Sequence, residues 1–127
     1  MTTLQNAFDR RRRRSDDIQK ALSYQLSTSA ERALFNSIVL ADESGLVMAW
    51  SGNDGLCEQM AAISPLLARC MKPWQGDVET NIGKVRLSIA PLSVNGCQLF
   101  IAAVAGKKSD IARELFRSGQ GVSRILV

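Results

Sequence analysis

Two β-hairpins separated by one helical segment constrain this chain more than any other feature of its sequence. The first runs Ser37-Ile38-Val39-Leu40-Ala41, turns at Asp42-Glu43-Ser44-Gly45, and returns as Leu46-Val47-Met48-Ala49-Trp50. The second runs Lys84-Val85-Arg86-Leu87-Ser88-Ile89 and returns as Cys97-Gln98-Leu99-Phe100-Ile101-Ala102-Ala103-Val104. Asn95-Gly96 tolerates positive φ at both positions and suits the turn between them. Both strands of the first hairpin, and the returning strand of the second, are apolar on both faces, which predicts central strands covered from two sides. Val85, Leu87 and Ile89 alternate with Arg86, Ser88 and Ala90, which predicts one drier and one wetter face. Pro91 cannot donate to a ladder and marks an edge position or a bulge.

Helical periodicity fills most of the rest. Ser15 is placed to cap a helix reaching about Ala33, with Asp16 and Asp17 in its first turn and Ile18, Ala21, Leu22 and Leu26 on one stripe. Residues 1–14 lack apolar periodicity and end in Arg10, Arg11, Arg12, Arg13 and Arg14, so they read as a flexible basic extension ahead of a domain over 15–127. A second helix starts at an Asn53 or Asp54 cap and runs to about Met71. Leu56, Met60, Ile63, Leu67 and Met71 form a stripe of large residues on it, beside a stripe of small ones, Cys57, Ala61, Ser64 and Ala68. Pro65 either kinks this helix or breaks it, with Ser64 capping a new segment. Residues 72–76 read as a loop and 77–82 as a short polar edge strand. Ser109 is placed to cap a last helix that buries Ile111, Ala112, Leu115 and Phe116, and Gly119 and Gly121 loosen the chain before the apolar residues 122–127. The order is α-β-β-α-β-β-β-α, an α+β domain with one antiparallel sheet between helices.

The chain has no histidine, which excludes Ser-His-Asp and Cys-His nucleophiles and histidine-bound metals. Its three cysteines suit free thiols in a reducing compartment, and they are too few and wrongly spaced for a Cys₄ zinc site. There is no Walker A sequence, and Gly119-Gln-Gly121 follows a helix where a dinucleotide fingerprint follows a strand. Asp42-Glu43 is more simply a solvated turn than an acid-base pair. No catalytic residue, cofactor or metal is expected. The 127 residues, 46% of them hydrophobic, suit one soluble domain with no membrane-spanning run and no secretory signal, and the cytoplasm is the default setting. Most of the net charge of +4 resides in Arg10–Arg14, which suit a solvated tail or contact with an anionic membrane surface or an acidic partner. Specific nucleic-acid binding is disfavoured, because no aromatics interleave with the arginines.

Functional attention therefore moves to surfaces. The small-residue stripe either lets the second helix lie close to its own sheet or admits a second copy of that helix, the self-complementary patch of a two-fold dimer. Trp50 and Trp74 are candidates for partner contact.

The hairpin Ile38-Val39-Leu40-Ala41-Asp42-Glu43-Ser44-Gly45-Leu46-Val47, the helix Gln59-Met60-Ala61-Ala62-Ile63-Ser64-Pro65-Leu66-Leu67-Ala68 and the strand Gln98–Val104 together resemble the Roadblock/LC7 family. The resemblance covers about residues 16–118. It implies a five-stranded antiparallel, profilin-like sheet with the second helix on one face and the terminal helices on the other. It also implies homodimers, or heterodimers with a paralogue, joined through residues 54–71 and 77–82. The interface residues are then Cys57, Ala61, Ser64 and Ala68 on the helix, with Val78 and Thr80 on the edge strand. Family members regulate or scaffold small Ras-like GTPases or serve as dynein light chains, so a non-catalytic GTPase-binding module is the leading expectation. Pro65 and the arginine run depart from the family pattern. A small-ligand sensor of the GAF or PAS type, and an adaptor tethered by Arg10–Arg14, are the competing expectations.

Overall fold

Helix α1 (Thr3–Ala33) is the longest element. The computed structural model describes the backbone of residues 3–105 and 111–127, and side chains over 16–104 and 111–127. The helix begins at Thr3, so Ser15 lies inside it and is not its cap. Residues 3–15 contain neither proline nor glycine, and arginine is among the better helix formers. The side chains of Arg10–Arg14 fall outside those described, as does Ser109.

Beyond α1 the order is β1 (Phe35–Asp42), β2 (Val47–Ser51), α2 (Asp54–Leu67), a 3₁₀ turn (Arg69–Met71), β3 (Trp74–Thr80), β4 (Gly83–Val94), β5 (Cys97–Ala105) and α3 (Ile111–Leu126). The strands form one antiparallel sheet in the order β2-β1-β5-β4-β3. The apolar strands β1 and β5 lie at its centre as expected. β2 does not: it is an edge strand, and its apolar character reflects cover from helices on both faces, α1 on one and α2 on the other. The Gln19 side chain of α1 donates to the Met48 carbonyl at 2.8 Å.

β3 starts at Trp74, inside the segment expected to be a loop, because Trp74 pairs with Ile89 and Gln75 with Ser88. That pairing explains how β4 runs through Pro91. β3 ends its pairing with β4 at Ile89, so Pro91 has a strand partner only in β5, opposite Phe100. Its missing donor faces no strand.

Alternation along the central strands divides the core in two. Ile38 and Leu40 of β1, with Ile101 and Ala103 of β5, face α1 and α3, where Leu22, Leu26, Leu115 and Val122 cover them. Val39, Ala41, Phe100, Ala102 and Val104 face the other way and are covered by Leu56 and Met60 of α2. α3 continues through Gly119 and Gly121 to Leu126. Its buried side differs from the expected one. Leu115, Ser118, Gly121 and Val122 are buried, Ile111 is half-buried, and Ala112 and Phe116 are exposed. The end of the Gln25 side chain fills the space a Cβ at Gly121 would take, Ser118 donates its hydroxyl hydrogen to Ser29, and Arg32 meets the buried Glu114 carboxylate at 3.2 Å. A polar seam thus joins α1 to α3.

Candidate dimer and partner surface

α2 is held at its start by a short chain of hydrogen bonds. The Asn53 side-chain oxygen accepts from the Leu56 amide at 2.8 Å, and the Asn53 amide donates to the buried Ser37 hydroxyl at 3.1 Å. Gly52 makes this junction possible. Its φ is +112°, and a Cβ there would lie 2.6 Å from the Asn36 carbonyl oxygen. At the other end the Ser64 hydroxyl donates to the Met60 carbonyl at 2.6 Å, so Ser64 is an interior residue and caps nothing. Pro65 sits in the last turn and the helix stops at Leu67, short of Met71; the Ala68 amide then bonds the Ser64 carbonyl and Cys70 turns left-handed at φ 58°.

The small-residue stripe needs a correction as an interface. Cys57, Ala61, Ser64 and Ala68 are all buried, at most 1% exposed, within this single chain. The stripe lets α2 lie close to its own sheet, which already covers these side chains. The outward face of α2 is Glu58, Gln59, Ala62 and Leu66, continued by Arg69 of the 3₁₀ turn, with Ile63 and Leu67 half-buried at its flank. Leu66 is 62% exposed. It belongs to neither stripe of the helical wheel, and that was the available signal.

α2 lies chiefly over β1, β2 and β5, so the same side of the sheet is less covered at β3 and β4. Val78 and Val85 are half-buried there, paired across the two strands. Gln59 reaches over to accept from the Asn81 amide at 2.9 Å, which ties the outer face of α2 to the β3–β4 turn. β3 is the edge strand at this end of the sheet, with β2 at the other. Val78 and Thr80 both belong to it; Thr80 donates its hydroxyl to the Gly83 carbonyl at 2.7 Å.

The two tryptophans are not brought together, since β2 and β3 are opposite edges. Trp50 is 44% exposed, with its indole N–H donating to the Asp54 carboxylate at 2.7 Å. Trp74 is half-buried, its ring folded over Gly76. Cys57 lies near the Ile38 and Ser51 carbonyls, and burial pushes its thiol up to about 11, where little thiolate forms near neutral pH. Among the described residues no group of Cys, Asp and Glu is placed to hold a metal ion, and no helix is long and apolar enough to cross a membrane.

Solved structures share this arrangement of sheet and helices. MglB from Myxococcus xanthus superposes with a TM-score of 0.60 at 9% identity, over 84% of this chain and 87% of that one. A Roadblock/LC7 domain from Streptomyces avermitilis gives 0.59 at 22% identity, over 81% and 92%. The chain has the Roadblock/LC7 fold. An MglB in a tetrameric arrangement also carries this Roadblock/LC7-like architecture, with a TM-score of 0.58 at 12% identity over 86% and 90%. No protein-family model and no curated protein sequence matches the chain.

Proposed function

We propose that this chain is a non-catalytic interaction module that self-associates through the outer face of α2 and the free edge of β3, and as a dimer binds a small Ras-like GTPase. The observation that carries the first half is the juxtaposition of an unpaired strand edge with an exposed apolar helix flank, Leu66, Ile63 and Val78 on one side of the sheet. An open edge is a template for another strand, and natural proteins leave one beside an apolar patch chiefly where something pairs with it. The second half rests on the resemblance to a family that regulates or scaffolds such GTPases, now supported by the shared fold. The MglB in a tetrameric arrangement is a protein of this fold that assembles. Three unpaired thiols fit a cytoplasmic setting.

Light scattering at tens of micromolar tests the assembly. Wild type is expected at dimer mass, and Leu66→Arg at monomer mass with unchanged circular dichroism. A monomeric wild type overturns the dimer. Binding of the purified dimer to small GTPases of the same source, loaded with GDP or with a GTP analogue, tests the partner; the GTPase reading falls if neither form binds.

A further inference from the structure

On the face opposite α2, a trough of about 860 Å³ lies between α3 and the sheet. Its floor is Ser88, Ala90 and Ile101, and its wall is Leu115, Phe116 and Gly119. The space exists because small residues face each other across it. A Cβ built on Gly119 would meet a single side-chain atom, Ile101 Cδ1, at 3.9 Å. Phe116, 68% exposed, stands on the lining as an aromatic side chain with too little cover. Clefts of about 300–1,000 Å³ with apolar walls and few polar groups are the usual size of small-ligand sites.

The polar groups say what kind of ligand. Gln75 and Ser88 satisfy one another at 3.1 Å on the floor. Arg124, near the end of α3, is the single ionisable side chain on the lining, and no ion pair among the described residues engages it. No acidic residue lines the trough, so its charge complement is an anion. A peptide strand finds no edge to join at Ser88, which pairs with both Gln75 and Ala103, and Pro91 removes a donor further along. Beyond Ile89 that side of β4 has no strand partner but is interrupted by Pro91, which favours an occupant without backbone of its own.

We propose that this trough binds an anionic amphiphile, with an alkyl chain along Ala90, Ile101 and Gly119 and a carboxylate at Arg124. The site is on the sheet face opposite the α2 surface and is independent of the dimer reading.

The test uses the full chain, stripped of lipid, titrated with dodecanoate below its micelle threshold and with dodecanol in parallel. Calorimetry should show saturable binding of one dodecanoate per chain, about tenfold tighter than dodecanol, as a charge-assisted hydrogen bond allows. Arg124→Gln should remove that preference and leave dodecanol binding unchanged. Gly119→Leu should fill the trough and weaken both ligands at least about tenfold, with the ligand-free melting temperature unchanged or raised. If Gly119→Leu fails to fold, Ala112→Trp on the exposed part of the lining gives the same reading. Non-saturable uptake, or undiminished binding by the filled variant, overturns the site; equal binding of acid and alcohol overturns the anionic end. A change in oligomeric mass on filling the trough means that a second copy occupies it, and the proposal falls.

Discussion

Asn53 serves two elements at once, capping α2 with its side chain while its amide is held by the Ser37 hydroxyl of β1. Asn53→Ala removes the cap alone and should cost about 1 kcal/mol in urea unfolding, whereas Asn53→Asp, which keeps an acceptor at the helix start, should cost less. Cys57 makes a different prediction. Its thiol is raised from an ordinary 9.0 to about 11, mainly because burial disfavours the thiolate. Below pH 9 the thiol is protonated whether the chain is folded or not. Between 9 and 11 the unfolded thiol ionises first, so the folded state loses stability as pH rises through that window, by roughly 2–3 kcal/mol at most. Cys57→Ala should flatten that alkaline loss relative to wild type, read as the denaturation midpoint at pH 8 and pH 10.5. An aromatic disulfide reagent should label Cys70 and Cys97 in the native protein and leave Cys57 untouched.

At the scale of elements, two glycines should respond oppositely to the same change. Gly52→Ala at the β2–α2 junction forces a side chain into a left-handed residue against the Asn36 carbonyl, and should cost about 2–3 kcal/mol. Gly119→Ala inside α3 meets only Ile101 Cδ1 at an ordinary contact distance of 3.9 Å and gains helix propensity, and should stabilise by about 0.5–1 kcal/mol; paired thermal melts decide both. The same contrast explains what was legible beforehand. Hairpins, turns and element order could be read from local pattern, because Asp42 accepting from the Ser44 and Leu46 amides and Asn95 at φ 51° are local chemistry. The ends of α1, α2 and β3 were less legible. Ser15 looks like a cap but helix propensity continues past it, and Trp74 joins a strand only because Ile89 lies opposite. The outward face of α2 was less legible for a related reason. A helical wheel shows which residues share a stripe but not how wide an arc the sheet covers. Here the arc takes in Leu56 and Met60 together with Cys57, Ala61, Ser64 and Ala68, leaving Leu66 outside.

For the whole molecule, charge is divided unevenly among the elements. α1 and α3 hold ten basic residues against five acidic ones, while the end of β1, the β1–β2 turn, α2 and β3 hold Asp42, Glu43, Asp54, Glu58, Asp77 and Glu79 and no basic residue. The α2 surface and the anion site lie on opposite faces of the sheet and are compatible with one another. The strand order has a consequence in time as well as in space. β1 and β2 form one local hairpin, β3, β4 and β5 form one local meander, and within the sheet the two are joined by β1 lying against β5. That seam is the long-range contact whose loop closure must precede any gain from it. Val39→Ala, at the seam, should therefore slow folding, while Val85→Ala in the β3–β4 hairpin should mainly speed unfolding, as chevron kinetics would show. During synthesis the apolar run Ile38–Ala41 leaves the ribosome long before its mate Phe100–Ala103 exists. An almost wholly apolar strand must wait, unpaired on one side, for the final strand of the sheet to be made.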